Sequence, residues 1–198
     1  GIKGEKLPSM LHSRNENKEI MNKFHSHLSN MGIADKIITR ETMVERNGEM
    51  SPSGFIRMYV EDCNGNERHI SDMGTGVGQV APIVFECILR RNRLILIEQP
   101  EVHLHPKAQS ELGDLFIDSL EEGNQLIVET HSPTMIERIR RRIREGEISH
   151  NDVNIIYLKS SKKGTEVIPI GFESDGDFDS PWPEDTFFGE REKEIFGW

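Results

Sequence analysis

Two short apolar runs separated by a helical segment constrain the fold of this chain more than any other feature. They are Leu-Ile-Leu-Ile at residues 94–97 and Leu-Ile-Val at residues 126–128, and such runs are typical of strands buried on both faces of a parallel sheet. Helical patterns follow at residues 106–121 and 134–145, and a third strand is predicted at residues 154–158. This alternation predicts right-handed βαβ units, and therefore an α/β fold with a parallel-rich sheet flanked by helices.

The first half of the chain predicts a helix, then antiparallel strands, then a second helix. The expected elements are a helix over residues 14–31, strands over 37–46, 55–62 and 67–70, and a helix over 79–90. Gly32 would end the first helix, and the Asn-Gly pairs at 47–48 and 64–65 would supply the turns. Pro82 would lie in the first turn of the second helix, where proline is tolerated.

Composition excludes several classes of protein. The 198 residues contain 34 Asp and Glu against 24 Lys and Arg, giving a formal net charge of −10, so we do not expect a general binder of polyanions. No apolar run approaches the roughly 20 residues that a membrane helix needs, and the first residues show no targeting pattern. Cys63 and Cys87 have neither metal-binding nor redox spacing, which favours a reducing cytoplasm.

Two polar residues follow the predicted parallel strands. Glu98 would lie at the carboxyl edge of the sheet, where such sheets bind ligands, and its carboxylate could hold Mg²⁺ through a water. His131 follows the second strand, where a neutral imidazole could contact a phosphate or an attacking water. Each also has a structural explanation, since Glu98 could simply cap its strand and His131 could be a buried or helix-capping histidine.

A glycine-rich segment at residues 71–79, Ser-Asp-Met-Gly-Thr-Gly-Val-Gly-Gln, precedes the predicted helix over 79–90. Glycines let an anion approach the backbone closely, and a helix N-terminus offers free N–H groups. Such a segment is more often only a turn, so it indicates a phosphate site weakly by itself.

Together, in this order and at these intervals, the three segments resemble the C-terminal half of an ABC-type ATPase head, as in SMC, RecF and OLD-like proteins. The similarity is greatest to AAA-family ATPases with the pattern IEQPE-x-HLHP, which stands here at residues 97–106. The resemblance implies the C-terminal lobe of a P-loop NTPase. Residues 1–62 would lead into this lobe, 63–170 would form it, and 171–198 would be an acidic aromatic tail, expected to be irregular from Asp175.

The resemblance also implies a role for each matching residue. Residues 94–99 would be the Walker B strand, 104–106 the D-loop and His131 the switch histidine that senses the γ-phosphate. ATP and Mg²⁺ would lie between two heads, with Glu98 holding the metal and either Gln99 or Glu101 positioning water. The signature and D-loop residues expected to contact nucleotide are Ser71, Asp72, Gly74, Gly76, Gly78, Gln79 and His105. Relatives suggest DNA transactions, such as DNA repair, or phage defence.

Departures from the family pattern limit what this chain is expected to do alone. It contains no G-x-x-x-x-G-K-[ST] and no initiator Met, so an N-terminal lobe with Walker A is expected elsewhere, and ATP binding should need it. Gln99 stands where such ATPases place a catalytic glutamate, and an amide is not a general base. Gly78 stands where relatives often have serine. The alternative is a non-catalytic interaction domain that keeps the fold without handling nucleotide.

Other features favour structural explanations. The basic cluster contains Arg138, Arg140, Arg141, Arg142 and Arg144, and we favour a solvated helix face over a DNA contact because glutamates dilute its charge. The pairs His25-x-His27 and His103-x-His105 lack a third metal ligand at suitable spacing. Trp182, Phe187 and Phe188 are predicted to anchor the tail, with a partner surface as the alternative.

Overall fold

The computed structural model describes residues 6–62, 64–183 and Phe188. These residues belong to two compact units, which meet in sequence between Thr130 and His131. The predicted segment boundaries after residues 62 and 170 stay predictions. No helix in the described part of the chain has both the length and the apolar character needed to cross a membrane.

The first unit begins with two helices, α1 over Leu7–His12 and α2 over Lys18–Asn30. Asn17 caps α2, because its side-chain oxygen accepts a hydrogen bond from a backbone N–H of the first turn at 3.2 Å. The chain leaves α2 through Gly32, whose φ of 70° is the left-handed conformation common after helices. The predicted helix end is therefore confirmed. The predicted start at residue 14 is wrong, because the Asn17 cap starts the helix later.

Three antiparallel strands follow, with β1 over Lys36–Arg46, β2 over Glu49–Glu61 and β3 over Glu67–His69. Asn47 and Gly48 both have positive φ, at 53° and 81°, which is the two-residue turn whose twist matches a hairpin. The predicted strands and their Asn-Gly turn are confirmed. The second strand begins earlier than the predicted residue 55, because pairing continues to the hairpin tip.

Helix α3 spans Thr75–Leu89 and begins inside the glycine-rich segment. The predicted start at residue 79 is wrong, and Pro82 lies inside the helix instead of in its first turn. Proline has no N–H for the carbonyl of Gly78 four residues earlier, so α3 lacks one hydrogen bond there. Gly76 and Gly78 consequently belong to the first turn of a 15-residue helix.

Strands β4, over Leu94–Glu98, and β5, over Gln125–Glu129, pair in parallel, with helix α4 over Pro106–Glu121 between them. The predicted βαβ unit is confirmed. Side chains of α2, α3 and α4 form the core of this unit, and the largest fully buried ones are Phe24, Leu28, Phe85, Leu112 and Leu115. Phe24 meets Phe85 edge to face, with ring centroids 5.5 Å apart.

The expectation that these two strands are buried on both faces is wrong for the described residues. Ile97 is only 8% exposed, whereas Leu94 is 56%, Leu96 69% and Ile127 60% exposed. Side chains alternate between the two faces of a strand, so Leu94, Leu96 and Ile127 share the exposed face. We call these three residues the open face of the β4–β5 sheet.

Two histidines of α2 predict that the stability of the first unit falls in mild acid. Burial lowers the pKa of both His25 and His27 from the ordinary 6.5. The hydrogen bond to the Ile37 carbonyl raises the pKa of His25, and Asp118 raises the pKa of His27, but each effect is smaller than that of burial. The unfolded chain therefore binds more protons, so this contribution is present above pH 6.5 and is lost as the pH falls below it.

We expect the free energy of unfolding to fall by up to about 1.4 kcal/mol per pH unit per histidine below that pH. Urea unfolding at several pH values between 5 and 8 measures this slope. The double variant His25→Gln, His27→Gln should flatten it, with His150→Gln in the second unit as the control. An unchanged slope in the double variant would contradict the assignment.

The second unit contains helix α5, over Pro133–Glu145, and a hairpin of β6, over Ile155–Ser161, and β7, over Gly164–Ile170. Ser132 caps α5 by accepting a hydrogen bond from the Met135 N–H at 3.1 Å. The prediction of a third parallel strand is wrong, because a two-residue turn returns the chain and β6 pairs antiparallel with β7.

The chain after β7 is fastened to α5. The Arg140 guanidinium donates to the Gly176 carbonyl at 2.8 Å and to Asp177 at 2.6 Å, and it lies 4.4 Å from the centre of the Phe178 ring. The ring of Trp182 packs on the rings of Phe178 and Phe188, with centroid distances of 4.9 and 4.7 Å. Trp182 also packs on Tyr157 of β6, with ring centroids 6.2 Å apart, which confirms the predicted anchoring of the tail for Trp182. Phe188 packs on Phe178 and Trp182 of the tail itself, so its anchoring role stays a prediction, and Phe187 lies outside the described residues. Residues 172 and 178 also form an isolated bridge, so the tail is less irregular than predicted.

Candidate functional site

The carboxyl edge of the β4–β5 sheet brings together two glutamates. Glu98 ends β4 and Glu129 ends β5, and the two residues are partners in the parallel register. Both side chains are exposed. Glu98 was predicted from the sequence, whereas Glu129 was missed. Both apolar runs are followed by a glutamate, and that repeated pattern is the signal that could have identified Glu129.

Gln99 is the first residue after β4, and two hydrogen bonds tie it to Glu129. Its backbone N–H donates to the Glu129 carbonyl at 2.8 Å, and its side-chain Nε2 donates to the Glu129 carboxylate oxygen Oε1 at 3.3 Å. Its φ of 44° lies in the left-handed region, which is uncommon for a residue other than glycine and recurs at functional sites. The chain therefore turns sharply at the end of β4 and leaves Gln99 exposed.

The loop between β4 and α4 forms a tight turn, and it contains the first two residues of the predicted D-loop at residues 104–106. The N–H of Val102 bonds to the Gln99 carbonyl at 3.3 Å, the N–H of Leu104 bonds to the Glu101 carbonyl at 3.0 Å, and His103 has a φ of 62°. His105 caps α4, because its Nδ1 accepts from the Lys107 N–H at 3.3 Å. No group of three or more metal-ligating side chains occurs among the described residues.

The glycine-rich segment approaches this loop at one point. A Cβ added to Gly76 would lie 3.0 Å from the His103 carbonyl oxygen and 3.2 Å from a Leu104 methyl carbon, whereas a Cβ at Gly74 or Gly78 would meet nothing within 4 Å. The first turn of α3 thus packs on the loop before α4 through Gly76, while Gly78 and the N-cap residue Gly74 stay open. Upstream, the Ser71 hydroxyl lies 2.7 Å from His69 Nδ1 and 3.3 Å from an Asp72 carboxylate oxygen.

This contact predicts different responses to alanine at two glycines of one helical turn. Gly78→Ala should raise the free energy of unfolding by about 0.5–1 kcal/mol, because alanine is the better helix former and the added methyl group meets open space. Gly76→Ala should be at least about 1 kcal/mol less stable than Gly78→Ala, because its methyl group presses on a backbone carbonyl. Urea denaturation compares the two, and equal stabilities would show that the loop before α4 does not pack tightly on Gly76.

His131 is the first residue of the second unit, immediately before the Ser132 cap of α5, and its side chain is exposed. It follows Glu129 by two positions in the chain. Its predicted grouping with Glu98 around one nucleotide stays a prediction.

The arginines of α5 form more hydrogen bonds and ion pairs than arginines that simply face water. Arg140 and Arg144 donate to the loop at residues 175–177, while Arg141 and Arg142 form ion pairs with Glu145 at 2.7 and 2.9 Å. The side chains of Arg140 and Arg142 are only 24% and 21% exposed, against 61% for Arg141 and 58% for Arg144. Arg141 and Arg144 therefore remain the more accessible to a polyanion.

Comparison with protein families matches residues 4–136 to the model described as AAA ATPase domain, which is about two thirds of the chain. Among curated proteins, the Old nuclease of Escherichia phage P2 is 38% identical over 47 residues. That match covers 24% of this chain and 8% of the nuclease.

Solved structures of SMC heads are similar in fold. The SmcHead bound to the C-winged helix domain of ScpA has a TM-score of 0.57 at 14% identity, covering 87% of this chain and 48% of that one. A structure from work on ATP-driven dimerization and DNA-stimulated activation of SMC ATPases has a TM-score of 0.51 at 16% identity, covering 79% of this chain and 86% of that one. These likenesses confirm the predicted α/β P-loop NTPase fold. The chain spans less than half of the SmcHead chain and a small part of the nuclease.

Proposed function

The chain belongs to the AAA ATPase domain family, and on that premise we propose that it is the C-terminal part of an ATPase head that binds and hydrolyses ATP with Mg²⁺ where two heads meet. One observation carries the proposal. The parallel pair β4–β5 brings Glu98 and the loop after it to one edge, and that loop packs on the glycine-rich start of α3 at Gly76. The carboxyl edge of parallel strands and the N-terminus of a helix are both places where nucleotides bind.

The residues fit Mg²⁺ and a nucleotide phosphate in their chemistry. Glu98 offers an exposed carboxylate at the end of a strand, and carboxylate oxygen is the ligand that Mg²⁺ takes, often through a retained water. Gly74 and Gly78 leave open space beside the first turn of α3, so an anion could approach the backbone there. In the proposed dimer this segment, which includes Ser71, Asp72 and Gln79, serves the nucleotide of the partner head together with His105 from the loop before α4.

The open face of the β4–β5 sheet supports the proposal that a further lobe packs against it. Leu94, Leu96 and Ile127 are each more than half exposed, and contiguous exposed apolar surface marks interaction sites. We propose that an N-terminal lobe carrying the Walker A motif, outside residues 1–198, covers this face and supplies the phosphate-binding loop. The full nucleotide site would then form only when both lobes are present.

Within the site, Glu98 would hold the metal through a water and His131 would sense the γ-phosphate. For positioning water we favour Gln99 over Glu101, because Gln99 is exposed whereas the Oε2 atom of Glu101 is buried. A cytoplasmic role in DNA transactions or phage defence extends the proposal, and any contact with DNA would use Arg141 and Arg144 before the other arginines.

Isothermal titration with ATP and Mg²⁺ tests the proposal. Residues 1–198 alone should bind weakly, because no phosphate-binding loop is present, while the same residues joined to their upstream coding segment should bind. The alternative, a non-catalytic interaction domain, predicts no binding by either protein. Absence of a Walker A motif upstream would exclude the ATPase proposal.

The role of Glu98 is tested separately. Glu98→Gln in the two-lobed protein is expected to lower ATPase activity at least about tenfold, because a neutral amide is a poorer partner than a carboxylate for hydrated Mg²⁺. Glu166→Gln, an exposed strand residue of the second unit, serves as the control. Activity unchanged by Glu98→Gln would refute the metal assignment.

A further inference from the structure

Gln99 stands where ABC-type ATPases place a catalytic glutamate, and its side-chain amide faces the carboxylate of Glu129. We propose that Glu129 is a positioning residue that fixes the orientation of the Gln99 amide, so that the amide oxygen is presented to the attacking water. The inference rests on the proposed ATPase function and extends it to a residue on the neighbouring strand.

The chemistry of the two groups allows one orientation of the amide. An ionised carboxylate only accepts hydrogen bonds, so the side of Gln99 that faces Glu129 must be the NH₂ group, which lies 3.3 Å from the carboxylate. The amide oxygen Oε1 then points away from Glu129, where it can accept a hydrogen bond from another group. Without the carboxylate, the amide could turn and present a donor or an acceptor equally well.

The backbone provides a second restraint. The Gln99 N–H donates to the Glu129 carbonyl at 2.8 Å, and the left-handed φ of 44° turns the chain directly after β4. Two hydrogen bonds between the same two residues hold both the main chain and the side chain of Gln99 against β5. A conformation this uncommon persists only where surrounding contacts hold it.

An oriented amide oxygen suits a water that attacks phosphorus. The water would donate one hydrogen bond to Oε1 of Gln99 while its oxygen bonds to the γ-phosphorus and the bond to the ADP oxygen breaks. Gln99 takes no proton, so the protons of the water leave with the phosphate product or pass to solvent. A residue that orients water without accepting its proton needs a fixed geometry, which Glu129 supplies.

The hydrogen bond itself is tested on residues 1–198 without nucleotide. The ¹⁵N-labelled side-chain amide of Gln99, assigned by its loss in Gln99→Ala, should shift and exchange faster with water in Glu129→Gln. The control variant Glu166→Gln should leave it unchanged. Signals of Gln99 that do not respond to Glu129→Gln would overturn the proposed contact, whatever the ATPase activity proves to be.

The positioning role is tested by steady-state kinetics in the two-lobed protein. Glu129→Gln should lower kcat about tenfold with little change in the KM for ATP, since binding does not need the oriented amide. Gln99→Glu should place two carboxylates against each other, and the exchange variant Gln99→Glu, Glu129→Gln should recover kcat because donor and acceptor have changed places. Strictly additive effects would overturn the coupling. A two-lobed protein with no ATPase activity would overturn the proposed function and this role, while the NMR result on the contact would stand.

Discussion

Replacing Asn124 with alanine is expected to lower the free energy of unfolding of the first unit by about 3 kcal/mol, one of the two largest effects we expect. Asn124 immediately precedes β5 and is 5% exposed. Its Oδ1 accepts from the Arg93 N–H at 3.1 Å, and its Nδ2 donates to the Arg90 carbonyl at 2.7 Å and to the Ser119 hydroxyl at 3.0 Å.

The cost arises because the Ser119 hydroxyl loses a hydrogen bond in a buried position, and the Arg90 carbonyl and the Arg93 N–H lose theirs in part-buried positions. Arg90 follows α3, Arg93 precedes β4 and Ser119 lies in α4, so one amide connects α3 with two elements of the βαβ unit. An unsatisfied buried polar group costs about 1–3 kcal/mol, so the three lost hydrogen bonds together account for the expected effect. Ser119 in turn donates its hydroxyl to the Cys87 carbonyl at 3.2 Å, and burial raises the pKa of the Cys87 thiol to about 12.

Urea denaturation followed by circular dichroism measures the change. Asn151→Ala, at an exposed position of the second unit, is the control and should fall within about 0.5 kcal/mol of the parent protein. Asn124→Asp retains the acceptor but loses both donors, so it should also destabilise. A loss below about 1 kcal/mol in Asn124→Ala would show that the three elements do not depend on this amide.

Gly176→Ala is expected to destabilise the second unit by about 3 kcal/mol or more. Gly176 is buried with a φ of 81°, and a Cβ there would overlap the Arg140 carbonyl oxygen of α5. The left-handed conformation alone costs an alanine about 1–2 kcal/mol, and the overlap with backbone atoms adds to that. The methyl group can be accommodated only if the loop moves away from α5 and weakens the hydrogen bond between Arg140 and Gly176.

Gly146→Ala is a matched control, because Gly146 has nearly the same φ of 77° but open space around the added methyl group. It should cost only about 1 kcal/mol. Thermal unfolding compares the two variants, and Trp fluorescence reports on the packing of Trp182 against Phe178. Equal losses in the two variants would show that the loop does not press on α5.

Local sequence was sufficient for the elements whose geometry depends on neighbouring residues. The Asn47-Gly48 turn, the helix that begins at Pro106, and the end of α2 at Gly32 all follow from residues within a few positions, and all are confirmed. Apolar runs on either side of α4 likewise predicted a parallel pair. The predicted start of α3 at residue 79 is wrong, because the helix already begins at Thr75 in the glycine-rich segment and contains Pro82 in its interior.

Features that depend on distant parts of the chain could not be predicted in this way. An apolar run shows that a strand can be buried on both faces, but only the fold shows that Leu94, Leu96 and Ile127 are exposed. A third strand was expected to extend the parallel sheet, and the two-residue turn after β6 instead lets β7 pair with it. Hydrophobic pattern alone does not specify which strand becomes the partner.

The sequence by itself determined the α/β class, the βαβ unit and the placement of Glu98 at the end of a parallel strand, because hydrophobic periodicity and turn chemistry are local properties. Only the tertiary structure decided that Glu129 faces Gln99, that Gly76 packs on the loop before α4, and that Arg140 holds the tail. Each of those contacts joins residues about 27 to 36 positions apart, and the register and close packing that create them exist only in the folded chain.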